Sequence, residues 1–140
     1  MRELSPQTKI DVFFLCSPLM RLLPIALFLV CLSAAAQEKT GAEVYASTCI
    51  ECHGSGKHSA PLFASKKHWG KLVREGLDDL VPAALRGVRK MPAKGGNLAL
   101  SDLEVARGVV HMANAGGGKF AEPTPEEAIR WRTKADKKKH

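Results

Sequence analysis

The sequence predicts an all-α fold of three to four core helices with a C-terminal helical extension. Apolar side chains recur at helical spacings of three, four and seven residues in the segment before Cys49 and again after Ser101. Ser101 and Glu104 form the capping-box pattern that marks the start of a helix. The alternating pattern of a strand is missing around the two central cysteines, so nothing there favours a sheet.

The most specific motif is Cys49-x-x-Cys52-His53. Two cysteines three positions apart, followed directly by histidine, are the attachment signature of a c-type haem, whose iron the imidazole binds. A redox disulfide and half of a zinc site are the alternatives. The redox disulfide motif occurs in a βαβ setting, and no strand pattern surrounds these cysteines. A closed zinc site needs four N or S ligands, and only His53, His58 and His68 lie near the two thiols in the sequence. The motif therefore predicts one haem c, held covalently by Cys49 and Cys52.

Residues 1–36 have the pattern of a cleaved signal peptide. Met20-Arg21 precedes an apolar run of ten residues, Leu22 to Cys31, and small residues follow up to Ala36, after which we expect cleavage. The run is too short for a bilayer, which needs about 20 apolar residues. We therefore predict export to the periplasm, with no stable membrane span after signal removal.

Residues 1–19 are unusual ahead of such a signal. One hypothesis is that translation begins at Met20 and that the upstream residues come from a misplaced start; N-terminal sequencing of a precursor that retains them would reject it. A lipid anchor at Cys31 is disfavoured, because Val30 is larger than lipoprotein processing normally accepts.

The mature chain, residues 37–140, has the length of one domain. We divide it into a core domain, residues 37–118, and a basic C-terminal extension, residues 119–140. Cys16 and Cys31 leave with the signal, so both remaining thiols are consumed by haem, which suits an oxidising compartment. A chain this small has a modest core, to which a covalently held haem would contribute much.

Three helices are predicted before residue 90. The first leads into the motif with Ala42, Tyr45, Ala46 and Cys49 on its inner face. The second begins at a Ser65 cap, ends near Gly76 and faces inward through Trp69, Leu72 and Val73. The third covers Leu77 to Leu85, with Pro82 in its first turn or at a kink.

The clearest helix follows Ser101. Gly108 in its middle costs about 1 kcal/mol against alanine, so we expect a close helix crossing there, with the segment from Ala42 to Cys49 as partner. The predicted inner face comprises Leu103, Ala106, Val109, Val110, Met112 and Ala113.

Met91 is the candidate second ligand of the iron. The proline and paired glycines of Met91-Pro92-Ala93-Lys94-Gly95-Gly96 exclude a regular helix or strand, so Met91 lies on a loop 38 residues beyond His53. A thioether there can return to the open face of the iron and complete a His/Met pair. The alternative is a core methionine, and Met112, within a helical pattern, is better explained that way.

The extension begins another helix. Thr124-Pro125-Glu126-Glu127 combines a capping residue, proline at the first position and acids in the first turn. The sequence favours a solvated segment that frays, since short isolated helices are marginal in water. The alternative is a docking element in which Ile129 and Trp131 contact a partner or fold back on the core.

The order of these motifs resembles the class I monohaem cytochromes c, and within them the bacterial cytochrome c-five family, over about residues 41–115. The resemblance implies their all-α fold with crossing N- and C-terminal helices, and one-electron transfer in the periplasm. It also implies covalent haem at Cys49 and Cys52 with axial ligands His53 and Met91. The matching residues are Gly41 to Tyr45, the haem motif, Ala60-Pro61, Trp69, Gly87, Met91-Pro92-x-x-Gly95-Gly96 and Leu100-Ser101-Asp102-x-Glu104.

The resemblance adds two weaker site residues and one departure. Pro61 would orient His53 through a backbone carbonyl at or just before it, and Trp69 would pack near a haem propionate edge. The family commonly has an aromatic residue where this chain has His111, so the helix crossing is packed differently or His111 lies on the surface. We assign His111 no metal role, because His53 and Met91 would fill both axial positions.

Charge favours an acidic partner. Residues 37–140 carry 18 lysines and arginines against 12 acids, a formal +6 of which +3 lies in residues 116–140. Such a surface can steer the protein toward a redox partner with an acidic surface or toward an anionic membrane surface. Nothing favours nucleic acid, and we expect a monomer or weak dimer.

Electron transfer is therefore the first hypothesis, and we expect no enzyme activity. The alternative is a haem c subunit or domain that acts within a larger redox complex. A third, a small peroxidase-like or gas-binding protein, needs an open iron.

Overall fold

Helices make up the regular structure of residues 37–137, the part of the chain that this computed structural model describes. The predicted signal peptide lies outside these residues. Apart from an isolated antiparallel bridge between Val88 and Met91, the described part contains no extended pairing, so the all-α prediction is confirmed. The helices are α1 (Gly41–Val44, Tyr45–Cys49 and Ile50–His53), α2 (Lys66–Glu75), α3 (Leu77–Arg86), α4 (Asp102–Ala115) and α5 (Pro125–Lys137).

Helix α1 changes its winding in the middle. Its turn Tyr45–Cys49 is π-helical, which adds a residue to that turn and rotates the faces on either side relative to a regular α-helix. Val44 is buried as a result, whereas Ala42 and Ala46 are exposed. The predicted inner face of α1 is therefore wrong at these two alanines.

Helix α4 is the centre of the core. Its capping box is confirmed: the Glu104 amide donates to Ser101 Oγ at 3.0 Å, and the Ser101 amide donates to Glu104 Oε2 at 2.7 Å. A Cβ atom on Gly108 would lie 2.8 Å from Val44 Cγ1 and 3.9 Å from Cys49 Sγ, so the predicted close crossing with α1 is confirmed. The predicted inner face is buried throughout, at Leu103, Ala106, Val109, Val110, Met112 and Ala113.

Helices α2 and α3 cover the same core from another side. Ser65 caps α2 by accepting from the His68 amide at 3.4 Å, and Gly76 ends it, both as predicted. Trp69 is buried, and it packs in one cluster with Met112. Pro82 lies inside α3, buried, and not in its first turn.

Helix α5 folds back on the core, so the prediction of a solvated, fraying extension is wrong. Trp131 is 1% exposed and belongs to the same cluster as Val44 and Leu85. Its Nε1 donates to Asp78 Oδ1 at 2.6 Å, a bond that lowers the pKa of the Asp78 carboxyl. Ile129 is 69% exposed, so Trp131 packs on the core and Ile129 does not.

Ion pairs flank the buried tryptophan and tie α5 to α3 and α4. Arg130 lies 3.4 Å from Asp78, and Arg132 lies 2.6 Å from Asp102 Oδ1. None of the helices in the described part of the chain has the length and apolar character needed to cross a bilayer.

Gly108→Ala tests the helix crossing. We expect a lower free energy of unfolding, because overpacking against Val44 costs about 1–3 kcal/mol. Replacing glycine by alanine also gains helix propensity, but only about 1 kcal/mol, which does not offset that cost. Gly70→Ala in α2 is the matched control, since a Cβ there meets only Arg74 Nη1 at 3.9 Å. Urea unfolding of both variants makes the comparison, and equal stability would contradict the close crossing.

Trp131→Ala tests the docking of α5. Truncating a buried tryptophan costs about 3–5 kcal/mol, whereas Ile129→Ala in the exposed part of the same helix should change the free energy of unfolding little. Thermal or urea unfolding followed by circular dichroism measures both. If the two variants were equally stable, α5 would not be part of the core.

Candidate functional site

The predicted haem-binding side chains lie on the second half of α1. Cys49 ends the π-helical turn, and Cys52 and His53 follow three and four positions later. Residues at these spacings share one side of a helix. The structure therefore presents two thiols and one imidazole together, as a covalently attached haem requires.

The environment of Cys49 argues against a redox thiol. Burial raises the pKa of the Cys49 thiol to about 11, so it stays protonated at neutral pH. Catalytic thiols have a lowered pKa, because the thiolate is the nucleophile. Among the described residues, no group of three or more His, Cys, Asp or Glu side chains is arranged to hold a metal ion.

His53 is held in one orientation. It is 8% exposed, and its Nδ1 lies 2.9 Å from the Pro61 carbonyl oxygen. A carbonyl oxygen can only accept, so Nδ1 donates and the lone pair of the neutral imidazole lies on Nε2. Nε2 is thus prepared for a metal, in the way that outer hydrogen bonds orient metal-binding histidines.

The loop after α1 keeps the Pro61 carbonyl in place. The Phe63 amide donates to the His53 carbonyl at 2.8 Å, and Trp69 Nε1 donates to the Leu62 carbonyl at 2.9 Å. The ring centroids of Trp69 and His53 are 6.1 Å apart, so the tryptophan lies on the histidine side of the site. The Pro61 carbonyl therefore contacts His53 directly, whereas Trp69 bonds to the neighbouring Leu62 carbonyl.

Met91 lies outside the helices, half-buried against the core. Its amide and carbonyl bond with Val88 at 2.9 and 3.0 Å, and the turn between them precedes the short 3₁₀ segment Ala93–Gly96. Gly87, at φ +87°, lets this turn approach α3, since a Cβ there would lie 2.9 Å from the Met91 carbonyl oxygen. Met91 and Cys49 pack against one cluster of buried residues, so the structure brings the loop and α1 to the same core.

Arg86 supports the fit of a haem at this core. Its Nη1 is buried and has no hydrogen-bond partner among residues 37–137. Arg86 ends α3 directly before Gly87, whose backbone meets the Met91 turn. A buried guanidinium needs an acceptor, and a haem propionate is one. Together with two thiols, a free imidazole Nε2 and a thioether, this donor set fits a haem c.

Sequence reasoning missed Arg86 and the contacts that hold the methionine loop. Asn97 Nδ2 donates to Thr48 Oγ1 at 3.3 Å, which ties the loop to α1. Lys94 lies 3.0 Å from Asp102, the first residue of α4. These contacts join residues far apart in sequence, and no local pattern marks them.

His111 takes part in an aromatic group with Phe63 and Tyr45. Its ring stacks on Phe63 at a centroid distance of 5.4 Å, and Tyr45 lies 5.7 Å away. His111 is half-buried against these two rings, so its side chain is not fully on the surface.

A family model described as "Cytochrome C oxidase, cbb3-type, subunit III" matches residues 36–112. Cytochrome c-555 of Chlorobaculum tepidum is 34% identical over 76 residues, which cover 51% of this chain and 70% of the relative. Cytochrome c5 of Azotobacter vinelandii is 32% identical over 77 residues, covering 54% of this chain and 93% of the relative. The residues matched by the family model include both cysteines and end before α5 begins at Pro125.

This chain is also similar to a solved structure. One chain of a crystal structure of an electron-transfer complex of nitrite reductase with cytochrome c is 32% identical, with a TM-score of 0.53. The similarity covers 57% of this chain and 99% of the other. The shared part is thus a complete domain of the other protein, and this chain has sequence beyond it.

Proposed function

Because this chain belongs to the class I monohaem cytochromes c, we propose that it is a periplasmic one-electron carrier. Covalently bound haem c, with its iron, is the cofactor that this membership implies, and the relatives are haem-based electron carriers. We propose that Cys49 and Cys52 hold the haem and that His53 and Met91 are the axial ligands.

The observation that carries the proposal is the hydrogen bond between His53 Nδ1 and the Pro61 carbonyl. It fixes the ring and leaves Nε2 as the donor atom for the iron, beside two thiols on the same helix. Met91, on a loop that packs against the same core as Cys49, is the candidate for the opposite face.

This ligand set favours electron transfer over substrate chemistry. The haem supplies reversible one-electron oxidation and reduction when it is bound. His53 and Met91 would occupy both axial positions, so no position is left for a substrate. A methionine ligand also raises the reduction potential. No step then needs an acid, base or nucleophile from the protein.

Export to the periplasm is supported by the sequence before residue 37. Its basic start, apolar run and small residues are typical of a cleaved signal, and both remaining cysteines would be consumed by haem. The excess of lysine and arginine in the mature chain favours a redox partner with an acidic surface.

The second candidate is a haem c subunit of a larger redox complex. The description of the matching family model, which names an oxidase subunit, favours it. Helix α5 offers less support for a subunit role than its sequence suggested, because Trp131, one of its two candidate docking residues, is already buried in the core of this chain. Exposed Ile129 is the apolar residue that α5 still offers to a partner.

Met91→Leu tests the proposed axial ligand. This substitution keeps the size of the side chain and removes its sulfur, so the sulfur-to-iron charge-transfer band of the oxidised protein should disappear. Met112→Leu, which changes a buried methionine of α4, is the matched control and should keep the band. A band that survives in Met91→Leu, or carbon monoxide binding by the reduced unmutated protein, would contradict the His/Met assignment.

Native protein from the periplasmic fraction tests location and mode of action together. We expect a chain that begins at Gln37, because the signal should be cut after Ala36, and an elution size of a monomer or weak dimer. N-terminal sequencing and size-exclusion chromatography provide both answers. Complete co-purification in one large assembly would favour the subunit role, and absence from the periplasmic fraction would contradict export.

A further inference from the structure

Asp102 is shared by side chains from two segments that are distant in sequence. Arg132 of α5 donates twice, from Nε to Oδ2 at 2.7 Å and from Nη2 to Oδ1 at 2.6 Å. Lys94 of the methionine loop lies with Nζ 3.0 Å from the same Oδ1. One carboxylate therefore joins the C-terminal helix to the loop that carries Met91.

The shared carboxylate is sheltered more than an ordinary surface ion pair. The side chain of Asp102 is 26% exposed, that of Arg132 29% and that of Lys94 17%. Bidentate guanidinium–carboxylate contacts fix geometry as well as charge. The hydrogen bonds from Arg132 hold the pKa of the Asp102 carboxyl below its usual range, so it is ionised at neutral pH.

Lys94 transmits this constraint to the loop backbone. Its Nζ also donates to the Leu100 carbonyl at 2.5 Å, and its φ of +52° is a left-handed conformation that non-glycine residues rarely adopt. Contacts must stabilise such a conformation. Lys94 lies three residues after Met91, so a displaced lysine would release the segment that holds the thioether.

Helix α5 presents Arg132 from a fixed position. The neighbouring Trp131 is buried and bonded to Asp78 of α3 at 2.6 Å, which anchors the helix independently of the loop. The core therefore fixes the position of Arg132 independently of its contact with Asp102.

We propose that Arg132 is a positioning residue for Met91: through Asp102 and Lys94, the C-terminal helix holds the methionine loop against the haem. The inference rests on the proposed function, in which Met91 binds the iron. Helix α5 lies outside the segment matched by the family model. Its role in this inference is to keep Met91 bound to the iron.

Imidazole binding to the oxidised holoprotein tests this role. Imidazole can occupy the sixth position only when Met91 leaves it, so its apparent affinity reports the fraction of molecules with a released loop. We expect Arg132→Gln to bind imidazole about fivefold more tightly than the unmutated protein, since a partly exposed ion pair contributes about 1 kcal/mol.

Arg130→Gln is the matched control. Arg130 is the other arginine in this turn of α5, and its partners are Asp78 at 3.4 Å and Glu127 at 3.7 Å, away from the methionine loop. Its imidazole affinity should equal that of the unmutated protein. Arg132→Lys keeps the charge without the bidentate contact and should fall between Arg132→Gln and the unmutated protein.

Asp102→Asn should act on the same link. Its effect and that of Arg132→Gln should not add in the double variant, because residues in one network show coupled free energies. Equal imidazole affinity for Arg132→Gln and Arg130→Gln, with the charge-transfer band present in both, would overturn this inference alone. A band missing from the unmutated protein, or unchanged in Met91→Leu, would overturn the axial assignment and this inference with it.

Discussion

The close crossing of α1 and α4 at Gly108 is the constraint on which the rest of the structure depends. Gly108 contributes no side chain to the crossing, so Val44 of α1 packs directly against the α4 backbone and Cys49 Sγ lies 3.9 Å from the Cβ position of Gly108. Cys52 and His53 follow on the same helix. A larger residue at the crossing would shift both thiols and the imidazole together, because interiors are close-packed and transmit strain.

The two proposed iron ligands are held by different means. His53, at the end of α1, is fixed locally by the Pro61 carbonyl eight residues later, in the loop that follows the helix. Met91 depends on contacts distributed over the molecule. Its turn packs closely against the backbone of Gly87, and the hydrogen bond between Asn97 and Thr48 ties its loop to α1. The Asp102 carboxylate, shared by Lys94 and Arg132, joins the same loop to α5. The methionine side is thus the part of the site that the rest of the fold, α5 included, must hold in place.

The local features of the fold could be predicted from the sequence, and the long-range ones could not. The capping box of α4 and its buried face follow from spacing, and Gly108 indicated a crossing because mid-helix glycine is costly without a close contact. The exposed Ala42 and Ala46 were predicted wrongly because the π-helical turn breaks the regular period. The docking of Trp131 on the core was only the second expectation, because its partner, Asp78, lies 53 residues earlier and no local pattern links the two.

Covalent attachment of haem at Cys49 and Cys52 is the central claim, and the state of these two thiols tests it most directly. Protein matured in a haem-competent periplasm should be coloured, keep its haem after denaturation and acid extraction, and leave both cysteines unreactive toward an alkylating reagent. Mass spectrometry of the mature chain should show the added mass of one haem. A colourless chain with both thiols alkylated would contradict the account.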